Sequence, residues 1–176
     1  MMVQCHRLMF SAYNSYFHKF SVHMPILETS LGPNVCFAQS EFLFWAVCYV
    51  GARRYSSTPN LLDALHPKVS TLALMSSKAE GKGPCTVKAL LLWLTWHPPK
   101  RSASMDILFP LSATLLHIGM QIGLHMPISC QDIFRGKTRM TDQEINERAE
   151  LWAYCITTYQ GCVTSNTKQM LTINIA

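Results

Sequence analysis

The stretch from Val87 to Pro127, VKALLLWLTWHPPKRSASMDILFPLSATLLHIGMQIGLHMP, decides the fold. It reads as two apolar helices joined by a polar loop with two prolines. In the first, Val87, Leu90, Leu91 and Leu94 recur at helical spacing, and Leu92, Trp93 and Trp96 make the other faces apolar as well. Such a helix must be buried on nearly all sides. In the second, Leu111, Leu115, Ile118 and Ile122 form an apolar line, with Thr114, His117, Gln121 and His125 as a polar line beside it. The reading makes this pair the centre around which the other helices pack.

Working outward, Phe10, Tyr13, Phe17 and Phe20 form an aromatic stripe on an amphipathic helix that ends before Pro25 and the Leu31 to Asn34 turn. The stripe is read as core. Ser40 is placed as the cap of the next helix and Glu41 in its positive first turn. Phe42, Leu43, Phe44, Trp45, Val47 and Tyr49 make that helix apolar all round, so it should be central. Thr58 and Pro59 signal another start, Pro67 predicts a kink or a restart, and Ser76 to Pro84 reads as a flexible loop. After the central pair, Ser129 to Met140 is polar, basic and irregular. Thr141 with Glu144 then forms a capping box, opening a long helix with Ile145, Ala149, Trp152, Ile156, Tyr159 and Val163 on one face. Glu144 and Arg148 are spaced as an exposed ion pair. No useful β alternation appears, so the predicted class is all-α, an irregular helical bundle.

A chain of 176 residues fits one domain, and 49% apolar residues suffice for a core. Charged residues make up 14%, below the roughly 25% of a typical soluble domain, which suggests part of a larger assembly. The net charge of +5 is spread in small groups rather than gathered on one helix, so no direct DNA contact is expected. Seven cysteines contain no CxxC pair, which removes zinc-finger and thioredoxin-type readings; reduced thiols in apolar stretches act as small core residues. The longest apolar run, Phe42 to Ala52, falls short of the ~20 residues of a membrane helix, and no signal peptide is apparent. No membrane association is expected.

Motifs for catalysis are missing: there is no G-x-S-x-G, no H-E-x-x-H and no phosphate loop. His117 and His125 lie eight residues apart, roughly 12 Å along a helix, too far to share one metal. The reading is not an enzyme and holds no metal. A pocket between helices is the remaining option, and its candidate residues are Arg53, Arg54, His117, Gln121, His125 and Arg148. Each has a plainer explanation, helix-end compensation for the two adjacent arginines and a solvated stripe for the histidines.

The segments FHKFSVHMPIL, EFLFWAVCYVGARRYSSTPNLLDALHPKV, VKALLLWLTWHPP, HIGMQIGLHMP and ERAELWAYC occur in the order in which fungal zinc-cluster transcription factors carry similar motifs. The chain resembles the middle homology region of that family over roughly Phe10 to Ser165, nearest to regulators of branched-chain amino acid synthesis. The resemblance implies an all-helical regulatory region over residues 1–165, followed by a divergent tail at 166–176, and an incomplete part of a larger regulatory domain. It implies a nuclear role in RNA polymerase II transcription, the rest of the parent factor as partner, and homodimerisation through segments outside this chain. Zinc is expected only in the six-cysteine DNA-binding domain, which this chain lacks, and no cofactor in the chain itself. In some family members the region responds to a metabolite, here expected to be a small acid. Three positions depart from the family pattern: Met126 stands where GLHR would place arginine, Glu150 where a basic residue precedes the tryptophan, and Ala113 where glycine follows LS. The tail is also compatible with a truncated or vestigial product.

Overall fold

The computed structural model describes residues 2–54, 60–78, 83–97, 107–128 and 140–173, with side chains over 8–54, 60–76, 83–97, 107–128 and 140–164. Among them are α1 (Met2–Lys19), α2 (Pro33–Gln39), α3 (Glu41–Ala52), α4 (Leu61–Leu74), a 3-10 turn at Met75–Lys78, α5 (Gly83–Thr95), α6 (Leu108–Gln121) and α7 (Asp142–Ile173). No strand occurs among the described residues, and the fold is all-α. Packing divides the chain into two compact units, Met1–Trp96 and His97–Ala176.

The first unit is organised around α3. Its start is fixed by Ser40, whose Oγ accepts from the Leu43 N–H at 3.2 Å, and by Glu41 in the first turn. Buried residues lie on every face, from Phe42 to Ala52, so the helix needs neighbours all round. Those neighbours are α1, α2, α4 and α5. The hub therefore lies one motif earlier than the Val87 to Pro127 pair. That pair is divided between the units: α5 packs on α3, and α6 packs on α7.

Close approach decides how α1 meets α3. A Cβ on Gly51 would stand 1.9 Å from the Ala12 carbonyl oxygen, so the two backbones touch where neither residue carries bulk. Met9 accepts from the Cys48 thiol through its carbonyl at 3.6 Å, and Lys19 donates to the Arg54 carbonyl at 3.2 Å. These pairings make α1 and α3 parallel. The buried line of α1 runs through Met9, Ala12, Tyr13, Tyr16 and Phe20, rotated from the predicted aromatic stripe, which leaves Phe10 and Phe17 half-buried. The shift follows from the small residue: α1 presents Ala12, not an aromatic, at the crossing. Tyr13 and Tyr16 instead fill the sides and donate to the Leu31 and Met24 carbonyls at 2.9 and 3.3 Å.

α4 runs antiparallel to α3, with His66 beside Tyr49 and Lys68 bridging to Glu41 at 2.8 Å. It continues through Pro67 without a restart. The proline removes one backbone bond, yet Leu61, Leu65, Val69 and Ala73 stay buried on one side, and that packing holds the helix in register. The predicted loop at Ser76 to Pro84 is shorter than expected: Ser76 to Lys78 belong to the 3-10 turn, and Gly83 and Pro84 open α5. Thr58 and Pro59 lie outside the described residues, and α4 follows Asn60 directly. Within α5, every residue from Ala89 to Leu94 is buried, as predicted for a helix enclosed on all sides.

The second unit is an antiparallel helix pair. Phe109 faces Tyr159 with ring centroids 6.5 Å apart, and a Cβ on Gly119 would reach the Trp152 ring at 3.1 Å. The capping box at the start of α7 forms as read: Thr141 N–H donates to Glu144 Oε2 at 2.8 Å, and Glu144 N–H donates to Thr141 Oγ1 at 3.3 Å. These bonds hold the Glu144 carboxyl below the usual carboxylate range. The burial of α7 is offset by about one residue from the predicted face. Leu151 and Cys155 are buried and Arg148 half-buried, whereas Ala149 and Ile156 are exposed. Except for Met140, the irregular Ser129 to Met140 segment lies outside the described residues. No helix among those described is long and apolar enough to cross a membrane.

Candidate functional site

α6 ends sooner than its polar stripe suggests. Gly123 takes φ 72°, a left-handed conformation that suits glycine and reverses the chain. Its N–H donates to the Met120 carbonyl at 3.0 Å, and the Leu124 N–H to the Gly119 carbonyl at 2.9 Å. This paired pattern is a Schellman closure. His125 consequently lies beyond the helix, with its ring 6.0 Å from that of Trp152. Thr114, His117 and Gln121 keep the helical stripe, and His117 and Gln121 are hydrogen-bonded to each other at 3.0 Å, both exposed.

Arg148 comes to the same place from α7. Its Nη2 donates to the Ile122 carbonyl at 2.6 Å, so the guanidinium seals the last turn of α6, where backbone carbonyls leave partial negative charge. Arg148 thus serves the end of a neighbouring helix, while the Glu144 carboxylate is engaged by Thr141. Four of the candidate residues, His117, Gln121, His125 and Arg148, therefore gather around the C-terminal end of α6. Arg148 Nε is buried and has no partner among the described residues.

Arg53 and Arg54 belong to the first unit and follow the same logic. Arg53 Nη1 donates to the Trp96 carbonyl just past α5, and the Arg54 guanidinium stands 6.0 Å from the centre of the Phe20 ring. The C-terminal ends of α1, α3 and α5 meet here, and three negative helix ends favour the cations Lys19, Arg53 and Arg54. Helix-end compensation is thus the role of Arg53, although the end it serves is that of α5 rather than its own helix.

A further polar chain escaped the sequence reading. Tyr49 OH and His66 Nδ1 lie 3.3 Å apart, and His66 Nε2 and Ser70 Oγ 3.4 Å apart. The four-residue spacing of His66 and Ser70 was visible in the sequence; the link to Tyr49 depends on α3 lying against α4. A phenol holds the position that a carboxylate takes in a hydrolytic triad. Burial pushes Tyr49 up to about 12, so it stays neutral at physiological pH and cannot offset an imidazolium charge. Cys36, Cys48, Cys85, Cys155 and Cys162 form no disulfide; Cys36, Cys48 and Cys155 are buried, and burial raises their thiols, that of Cys155 to about 12. They are protonated core residues. No group of three His, Cys, Asp or Glu residues among those described is arranged to hold a metal ion.

No protein-family model matches the chain. No solved structure matches it either. Among curated proteins, Regulatory protein LEU3 of Saccharomyces cerevisiae is similar, 21% identical over 172 residues, covering 89% of this chain and 19% of that protein. The chain spans about a fifth of the length of the curated relative it matches. The similarity relates nearly the whole chain to a region of a fungal regulatory protein.

Proposed function

We propose that this chain is a regulatory region of a fungal transcription factor of the zinc-cluster type, acting in the nucleus on RNA polymerase II transcription through its parent factor rather than by touching DNA. The observation that carries the reading is the similarity to a regulatory protein over 89% of the chain, in agreement with the ordered motifs from Phe10 to Ser165. Resemblance to regulators of branched-chain amino acid synthesis sets the expected pathway class. In this reading the helices restrain or transmit the activity of an activation segment, and the role is regulatory rather than catalytic.

The test places the chain between a heterologous DNA-binding domain and an activation segment in yeast and measures reporter transcript. Output is expected to fall well below that of the same fusion carrying an unrelated helical spacer. Equal output from the two fusions would remove the reading.

A second reading, a metabolite-sensing module for a small acid, is favoured by Arg148 Nε, buried without a partner among the described residues, at the end of α6 that also carries the exposed His117 and Gln121 pair. Branched-chain acid intermediates at millimolar concentration are then expected to raise the melting temperature, and Arg148→Ala to abolish the rise. Absence of any shift in the unsubstituted protein leaves an interaction role alone.

A further inference from the structure

Thiols from three helices gather at one end of the first unit. α3 and α5 pack side by side and run parallel, since Arg53 at the end of α3 bonds the Trp96 carbonyl just past the end of α5. Counting back by equal steps from that link reaches Phe42 on α3 and Cys85 on α5, so Cys85 lies level with the start of α3. The same end carries α2, which leads into α3 through Ser40. The Ser40 N–H donates to the Cys36 carbonyl at 2.9 Å, and the Phe37 ring stands edge-on to that of Phe44 at 5.3 Å. Cys36 is fully buried there beside Tyr13, with which its thiol shares a hydrogen bond. It is also near enough to the Cys85 thiol for the two to interact electrostatically. Cys48 on α3 interacts with Cys36 in the same way and donates to the Met9 carbonyl at 3.6 Å. Of the three, Cys36 and Cys48 are sealed from solvent and Cys85 is half-exposed.

We propose that Cys85 and Cys36 form a peroxide-responsive pair, in which Cys85 is the sulfur oxidised first and Cys36 the one that resolves it into a disulfide. Access sets the order, because hydrogen peroxide reaches the half-exposed thiol and not the sealed one. The Cys85 sulfur, as its thiolate, attacks a peroxide oxygen. The O–O bond breaks, the sulfur becomes a sulfenic acid, and the departing hydroxide takes up the proton that Cys85 released. The Cys36 sulfur then attacks the sulfenic sulfur. An S–S bond forms, the S–O bond breaks, and the hydroxyl leaves as water with the proton of Cys36. Two thiols and one hydrogen peroxide give one disulfide and two waters, and each sulfur gives up one electron to the peroxide. Burial pushes the Cys36 thiol above its ordinary value, which suits the second role: it keeps its proton until the hydroxyl departs. Cys48 is sealed on α3 and its thiol neighbour is Cys36, so it offers peroxide no way in. The bond fastens α2 to the first turn of α5 at the end of the unit opposite the Arg53 link. In a reducing compartment such bonds are transient and serve as sensors. The inference rests on where the thiols stand and not on the regulatory reading of the chain.

The test treats the folded, reduced chain with hydrogen peroxide, alkylates the remaining thiols and digests with trypsin and a glutamate-specific protease. Cleavage after Glu28, Glu41, Arg53, Lys82 and Lys88 separates 29–41, which holds Cys36, from 42–53, which holds Cys48, and from 83–88, which holds Cys85. Mass spectrometry is expected to find 29–41 joined to 83–88, and dithiothreitol to part them. The same treatment in denaturing urea is expected to lower the yield of that link several-fold, because the fold brings the two sulfurs together. Neither measurement depends on the folding of a variant. Cys36→Ser is expected to leave Cys85 as a sulfenic acid that dimedone captures, with far-UV circular dichroism checking its fold. A Cys85 that stays reduced overturns the proposal, as does a Cys85 that oxidises in the unsubstituted chain without joining Cys36. A link between Cys36 and Cys48 in its place, or an equal yield in urea, overturns it too.

Discussion

The two units solve the same problem of closing helices against one another with different means. In the unit from Met1 to Trp96, backbones meet: Gly51 and Ala12 bring α1 and α3 into contact, and apolar side chains fill every side of α3. In the unit from His97 to Ala176, a ring meets a backbone, Trp152 lying over Gly119, and the long helix keeps an exposed apolar edge at Ile156. A glycine in a helix interior therefore has no fixed cost. It is tolerated in both units because of what approaches it, and the hardness of that neighbour decides what a methyl group there would do.

Gly51→Ala is expected to have the largest effect. A methyl group at 1.9 Å from a carbonyl oxygen cannot be accommodated by a rotamer change, so α1 and α3 must separate along their length. The expected loss is about 3 kcal/mol or more, at the upper end of overpacking costs, read as a lower urea midpoint with hydrogen-exchange protection lost across α1 and α3. A wild-type midpoint would show that the helices do not cross there. Gly119→Ala is the milder partner experiment: the added methyl meets the edge of the Trp152 ring at 3.1 Å, and the ring can give way. Its expected cost is about 1 kcal/mol, with a change in Trp152 fluorescence. If Gly119→Ala proved the more damaging of the two, the contrast between hard and soft neighbours would be wrong.

The smallest effect concerns pH. Glu144 has its carboxyl lowered by bonds from Thr141, so the folded state binds its proton less readily than the unfolded chain. Its contribution is present above the unfolded pKa and is lost as pH falls through the lower folded value. Carbon-detected NMR titration should give a midpoint for Glu144 below the usual 4.5, and Thr141→Ala should bring it back up. An unchanged midpoint would mean that the capping box is not formed in solution.

Much of this architecture was legible from residues close together in sequence. The Ser40 cap, the Thr141 and Glu144 box, the all-round burial of α3 and α5 and the all-α class each depend on spacings of a few residues, and local spacing carries them fully. What spacing could not carry is the phase of burial. In α1 the aromatic stripe looked like the core face, but the crossing is set by Ala12, whose importance appears only when Gly51 lies opposite. The buried edge of α7 likewise departs from its apolar line at Arg148, Leu151 and Cys155. Arginine roles were partly legible for the same reason: the positive charges of Arg53 and Arg148 were visible, while their carbonyl partners lie 43 and 26 residues away. The candidate residues of the second unit gather at the end of α6, yet the turn at Gly123 that stops the helix before His125 is a backbone feature that a side-chain stripe overlooks.

The link from Arg53 to Trp96 has a consequence for how the protein comes into being. α3 leaves the ribosome with all its faces apolar, while the helix that completes its enclosure is still 43 residues from its end. At about 5 to 20 residues per second, the nascent chain carries that bare surface for a time on the order of seconds. The interval is a window for chaperones, and it closes only when translation reaches the carbonyl that Arg53 is waiting to hold.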